Sequence, residues 1–378
     1  MKFWKRALCL GLGALLAASA LPVAAGALSE EDLTAPSAVL MEASTGKVLF
    51  EKNSHEVRAC ASITKVMTLL LVMEAIDQGR MSLTDTITAS EHASSMGGSD
   101  IWLEPGETMS ADDMVKATVV ASANDAAVAL AEHLEGTEEA FVQKMNQRAA
   151  ELGMKDTVFK NCNGLDEEGH LTSAYDVALM SRELVRHEKI FDYTLTWMDS
   201  VRDGATQLVN TNKLIRTYQG ITGLKTGTTG QAGSCITATA QRDGLELIAV
   251  VLGAKTSEQR FSAATALQDS GFANYRLVTL SADPKKITQI TVKNGVQKIL
   301  NPAVPAKQQL LCAKGSGDPT YEYKLKKTVD APVRKNTRVG TVKVKLDGKT
   351  VAELPVYAGV NIDKTAFWSV FVRFLRTF

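Results

Sequence analysis

Apolar and polar positions alternate with different periods along the chain, and the period marks out the elements. From Ala38 to Asn53 an apolar run (Val39, Leu40, Met41), a turn (Ser44-Thr45-Gly46-Lys47) and a second apolar run (Val48, Leu49, Phe50) predict a β-hairpin. Ser62 to Ile76 reads as a helix, with Met67, Leu70, Leu71 and Ala75 among its apolar positions. Further helices are predicted over Ala111 to Leu134, Glu138 to Gly153, Ser173 to Arg186 and Glu258 to Gly271. Strands are predicted over Ser234 to Ala240 and Leu245 to Leu252. Strands, then several helices, then returning strands describe a layered α/β or α+β domain.

Near Asp283-Pro284 the pattern changes to short alternating runs, such as Ile287 to Val292 and Val342 to Leu346, punctuated by Asn294-Gly295 and Asp347-Gly348. These turn pairs between alternating runs predict a small all-β domain. The final residues change again: Phe367, Val370, Phe371, Phe374, Leu375 and Phe378 recur at helical spacing, with Arg373 and Arg376 on the other side. An apolar face backed by arginines suits a helix lying in a membrane interface, or one docked on the protein itself. The start, Met-Lys-Phe-Trp-Lys-Arg, followed by an apolar run from Ala7 to Ala25 and small residues at Ala25-Gly26-Ala27, fits a secretory signal cut after Ala27. The expected organisation is a signal over 1–27, a first domain over 28–282, a β-rich domain over 283–361 and an amphipathic helix over 362–378.

Composition narrows this only a little. The 378 residues include 42 basic and 42 acidic side chains, so net charge selects no partner, nucleic acid included. Lysines crowd the region from Lys285 to Lys349, which fits either a solvated basic face or an anionic partner. Cys60, Cys162, Cys235 and Cys312 follow the signal with no metal-ligand spacing, so no metal or other cofactor is expected. Both buried thiols and disulfides fit them.

Three short motifs carry candidate chemistry. In Ser62-Ile63-Thr64-Lys65, positions three apart on a helix share a face, so the lysine amine reaches the serine hydroxyl. Lysine serves as a base only when neutral, and burial or a neighbouring cation depresses its pKa. Ser44-Thr45-Gly46-Lys47 has the same spacing but lies in a turn, where nothing aligns the pair. Ser122-Ala123-Asn124 places a hydroxyl and an amide between two helical runs, although a helix cap explains an isolated pair of this kind. Lys225-Thr226-Gly227 precedes a strand, where a lysine and a hydroxyl suit a substrate carboxylate and Gly227 lets a peptide backbone approach, although an ordinary turn explains it alone.

Together, and in this order, the three motifs match the signature of penicillin-binding proteins and class A β-lactamases. With Ala38-Val39-Leu40-Met41-Glu42-Ala43, Gly164-Leu165-Asp166, His170 to Asp176 and Asn210-Thr211-Asn212-Lys213-Leu214, the chain resembles the D-alanyl-D-alanine carboxypeptidases among the low-molecular-mass penicillin-binding proteins, close to the sporulation-type branch. The resemblance implies a β-lactamase/transpeptidase-like α/β (α+β) domain, an antiparallel sheet flanked by helices, followed by the β-rich domain and the amphipathic helix. It implies an exported enzyme at the outer membrane face that trims terminal D-alanine from peptidoglycan stem peptides and is acylated by β-lactams. Ser62 would form the acyl-enzyme, Lys65 take its proton and Ser122 relay a proton to the leaving D-alanine. Asn124 would bond the substrate amide. Lys225, Thr226, Gly227, Thr228 and Arg260 would surround the terminal carboxylate, with the backbone N–H groups of Ser62 and Thr228 as oxyanion hole. The chain departs from the family pattern at Cys60, usually proline, at Ala123, usually glycine, and at Thr228, often bulkier. None of these removes a reacting group.

Rival readings keep the same residues or discard them. A DD-endopeptidase or transpeptidase would use the same site. A β-lactamase needs a carboxylate placed for deacylation, and Asp166-Glu167-Glu168-Gly169-His170 lacks the usual Glu-x-x-Leu-Asn pattern. A non-catalytic wall-binding scaffold would not require all the polar residues of the three motifs. No Gly-x-Ser-x-Gly supports a Ser-His-Asp hydrolase.

Overall fold

The computed structural model describes residues 28–366. The expected signal therefore lies outside the described residues, as does the part of the expected amphipathic helix from residue 367 onward. Two compact units divide between Arg276 and Leu277.

In the first unit, five antiparallel strands form a sheet in the order Val48–Lys52, Ser37–Glu42, Leu245–Ala254, Gly233–Arg242, Ile221–Thr229. Alternation along each strand sends neighbouring side chains to opposite faces. Val39, Met41, Ile248 and Val250 enter a large core with Val66, Leu70 and Met73 of the helix Lys65–Asp77. On the other face the helix Ser257–Asn274 packs closely: a side chain at Gly271 would collide with Leu40 and Leu247. Covered on both faces, two central strands carry continuous apolar runs, Ala38 to Met41 and Leu247 to Leu252, rather than alternation.

Helix boundaries follow local capping chemistry. The Ser110, Thr137, Ser173 and Thr256 side chains each accept a backbone N–H from the first turn of the helix they open. Two predicted helices need correction. The run Ala111 to Leu134 is two helices, Ala111–Val120 and Asn124–Glu135, broken at Ser122, whose φ is +63°. The helix predicted from Ser62 begins as a 3-10 turn, Ala61–Thr64, and becomes α-helical only at Lys65.

The second unit is all β. One sheet runs Pro302–Ala303, Lys349–Ala358, Arg338–Leu346, Thr320–Leu325, and another pairs Ile290–Lys293 with Ile299–Leu300 and Thr328–Asp330. Ile290, Val292, Val342, Val344 and Leu354 share its core. Asp347-Gly348 turns with positive φ at both residues, as the hairpin pattern requires. Two expected limits shift. The unit begins before residue 283, because Tyr275–Leu280 pairs with Gln308–Ala313. Residues 362–366 are not helical: Ile362 bridges Val333 and Lys364 bridges Gly295. Lys343 and Lys345 pair with Glu353 and Glu322, so part of the basic excess is neutralised within the sheet.

Candidate active site

The nucleophile candidate sits on the turn that leads into the largely buried helix Lys65–Asp77. Ala61 has a left-handed backbone (φ +51°), and Ser62 follows it, partly buried. Two glycines let other segments close on this turn. A Cβ on Gly164 would fall 2.0 Å from the Ala61 carbonyl oxygen, and one on Gly227 would fall 2.8 Å from both Cys60 O and Ser62 N. Gly227 therefore admits the protein's own Ser62 turn, whereas the sequence suggested room for a substrate backbone.

Lys65 is completely buried. Its Nζ lies 3.1 Å from Ser62 Oγ, 2.5 Å from Asn124 Oδ1 and 2.7 Å from Asn163 O. Burial pulls its pKa down to about 7, with Cys162 and the carboxylates of Asp100 and Asp125 opposing the shift. In the neutral amine the two N–H groups are accounted for by two carbonyl acceptors, Asn124 Oδ1 and Asn163 O. The lone pair is then left for the Ser62 hydroxyl proton. A lysine with these partners at this pKa is equipped as a general base.

Asn124 opens its helix and is held from both ends of its amide. Its Nδ2 donates to Gly97 O at 2.6 Å and its Oδ1 accepts from Lys65, so it positions the lysine. Ser122, 4 % exposed, makes no side-chain hydrogen bond within the protein among the described residues. Its turn is fixed through the backbone, by Ala123 N–H to Ala117 O and Thr211 N–H to Val120 O.

The third motif lies on the edge strand Ile221–Thr229. Lys225 is buried, with Nζ donating to Thr226 O at 3.1 Å. Burial, then the neighbouring charges of Lys65 and Arg260, hold its pKa well below the usual lysine range. Thr226 Oγ1 donates to Thr211 Oγ1 at 2.7 Å, which ties the strand to the segment beside Ser122. Arg260 Nη1 donates to Thr228 Oγ1 at 2.8 Å and to Gly227 O at 3.0 Å, and its Nε has no partner. Around Lys225 the charges that act are therefore both positive, Lys65 and Arg260, whereas the carboxylates of Asp100 and Asp125 act on Lys65. This environment favours an anion, and an entering carboxylate would raise the Lys225 pKa.

Several participants escaped the sequence reading. Asn163 contributes only a main-chain oxygen, which no side-chain pattern can announce. His170 is buried: Lys160 N–H donates to its Nδ1 at 3.1 Å, so Nε2 carries the proton and donates to Thr64 Oγ1 at 2.7 Å. Thr64 lies 3.4 Å from Cys60 Sγ, so this chain braces the turn that carries Ser62. Burial depresses the His170 pKa to about 4. Asp166 accepts from Thr229 Oγ1 at 2.6 Å and from Gln231 N at 3.3 Å, and Glu167 accepts from Asn161, so both carboxylates are engaged in holding loops. Cys60, Cys162 and Cys235 are buried free thiols, and Cys312 is buried as well. Among the described residues no cluster of side chains suits a metal ion.

Residues 24–256 match the family described as D-alanyl-D-alanine carboxypeptidase, and residues 275–364 match the penicillin-binding protein 5 C-terminal domain. The D-alanyl-D-alanine carboxypeptidase DacF of Bacillus subtilis is 46% identical over 338 residues, covering 88% of this chain and 87% of its own. Penicillin-binding protein 5 of Haemophilus influenzae superposes with a TM-score of 0.77 at 29% identity, over 89% of this chain and 100% of that one. Penicillin-binding protein D2 of Listeria monocytogenes, solved with ampicillin bound, gives 0.58 at 34% identity, over 64% of this chain and 98% of that one.

Proposed function

The chain belongs to the D-alanyl-D-alanine carboxypeptidases, serine peptidases that act on peptidoglycan, and from that premise we propose that Ser62 is the residue acylated and Lys65 the base that activates it. The observation that carries this is the pairing of Lys65 Nζ with Ser62 Oγ at 3.1 Å, the other two contacts of the amine being carbonyl oxygens.

Ser62 Oγ attacks the carbonyl of the penultimate D-alanine as its proton passes to Lys65. The developing oxyanion is received by the backbone N–H groups of Ser62 and Thr228, a contribution of roughly 3 kcal/mol per donor. Support for this pairing is the close approach of the Gly227 backbone to Ser62 N. Ser122 passes a proton to the departing D-alanine nitrogen, and water then hydrolyses the ester. Lys225, Thr226 and Thr228 take the terminal carboxylate. Arg260 fixes the Thr228 hydroxyl and adds positive charge. A β-lactam follows the same first step, and with Asp166 and Glu167 both engaged elsewhere its ester should persist.

The enzyme works outside the cytoplasm, attached to the membrane face by the apolar side of 367–378. The spacing of Phe367, Phe371, Phe374 and Phe378 supports the attachment. Among the described residues no helix is long and apolar enough to cross a membrane.

D-Alanine release from a pentapeptide ending in D-Ala-D-Ala tests the assignment. Wild type should release one equivalent, and Ser62→Ala and Lys65→Met should each lose at least about 10³-fold. Substantial release by Ser62→Ala would overturn it.

A further inference from the structure

Trp102 is 78 % exposed and has a left-handed backbone, φ +56°. Bulky residues avoid this region, and where they occupy it the surroundings must enforce it. Here they do so from both sides. The Asp125 carboxylate, 1 % exposed, accepts from Ile101 N (3.2 and 3.1 Å) and Leu103 N (3.0 Å). Arg202 donates to Ile101 O at 2.7 Å and Trp102 O at 3.2 Å, and is itself gripped by both oxygens of Glu107 at 2.6 and 3.0 Å. Ile101 and Leu103 are buried in the core on either side. The segment is thus anchored at each flank and presents a single indole to solvent.

The same segment borders the active site. Gly97 O accepts from Asn124 Nδ2 and Ser99 O accepts from Asn124 N, both at 2.6 Å. Trp102 is three residues further on, within about 11 Å of Ser99 along the chain. In a peptidoglycan stem, the carbonyl attacked is separated from the sugar by four amino acids, up to roughly 14 Å when extended. The indole thus stands three residues from a segment bonded to Asn124, which is joined through Lys65 to Ser62. This reach is of the same order as the stem between the attacked carbonyl and its sugar. Charge then decides between the parts of the substrate. Asp100 and Glu104 stand two residues to either side of Trp102 in the chain, a poor setting for a stem peptide that carries free carboxylates. The uncharged, apolar face of an N-acetyl sugar meets no such repulsion.

We propose that Trp102 is a glycan-stacking platform, a specificity-determining residue that recognises the sugar bearing the stem peptide. This inference rests on the carboxypeptidase reading of the site.

The test compares D-alanine release from a disaccharide-pentapeptide and from the same pentapeptide without sugar, for wild type, Trp102→Ala and Trp102→Phe. Acylation by benzylpenicillin serves as a control for an intact site. Trp102→Ala should lose about 5- to 20-fold in kcat/KM on the sugar-bearing substrate and less than about 2-fold on the free peptide, with penicillin acylation unchanged and Trp102→Phe intermediate. Equal loss on both substrates, or no loss on either, would overturn the inference. If wild type released no D-alanine from either substrate, the reading of the site itself would fall, a result distinct from both.

Discussion

The Lys65 amine stands 3.1 Å from the Ser62 hydroxyl in a pocket from which water is excluded, and that burial makes a lysine into a base. A pKa brought from 10.5 to about 7 corresponds to about 5 kcal/mol of cost for the buried charge. The cost is met by the apolar core around Lys65, which includes Ile63, Val66 and Leu69.

Acylation by a β-lactam should therefore rise with pH through an apparent pKa close to 7 and level off above it. Stability carries the matching sign. Below pH 7 the native lysine is charged and the cost is present in full. Between pH 7 and about 10.4 only the unfolded chain holds the proton, so stability from this group increases with pH. Stopped-flow acylation and denaturant unfolding across pH 6 to 9 check both trends. A flat acylation profile would remove Lys65 as the base.

His170 predicts a separate weakness in acid. With its pKa depressed to about 4, the native ring resists a proton that the unfolded chain accepts near pH 6.5. Stability is complete above 6.5 and falls as pH drops to 4, by about 3 kcal/mol. Unfolding midpoints of wild type and His170→Gln between pH 4 and 7 should diverge, with the variant showing the shallower slope.

The two glycines against the Ser62 turn should fail in different ways. Gly164→Ala combines a φ of +88° with a Cβ 2.0 Å from a carbonyl oxygen, and should lose more than about 3 kcal/mol of stability. Gly227→Ala presses at 2.8 Å on Cys60 O and Ser62 N. It should cost about 1–3 kcal/mol but slow acylation about 100-fold, because the nucleophile is displaced. Thermal melts beside acylation rates separate the two.

Membrane attachment predicts that removing 367–378 releases the enzyme from lipid vesicles while peptide hydrolysis in solution is unchanged. Co-sedimentation with vesicles reads this directly. Equal sedimentation with and without the segment would leave the tail without that role.

The elements and the site differ in how much of each was legible in the sequence. Hairpins, capped helices and the β-rich unit announce themselves because period and turn chemistry are local, as Asp347-Gly348 and the caps at Ser110 and Thr137 illustrate. The break at Ser122 does not, since Val119-Val120-Ala121 and Ala126-Ala127 continue a helical pattern across it, and only the packing of Thr211 N–H on Val120 O and the left-handed Ser122 reveal the interruption. The three motifs name the reacting side chains but not what aligns them. Asn163 acts through its backbone, and Gly164 matters for a collision that it avoids. His170 joins Thr64 across a long stretch of chain. The unit limit near residue 277 was hidden because a strand pairing, not a change in composition, sets it.

Mass spectrometry after incubation with benzylpenicillin, on wild type and Ser62→Ala side by side, tests the central claim most directly. A stable penicilloyl adduct is expected on the peptide containing Ser62, close to one per molecule, and none in the variant. An adduct on any other residue, or an unmodified wild type that leaves the drug intact, would contradict it.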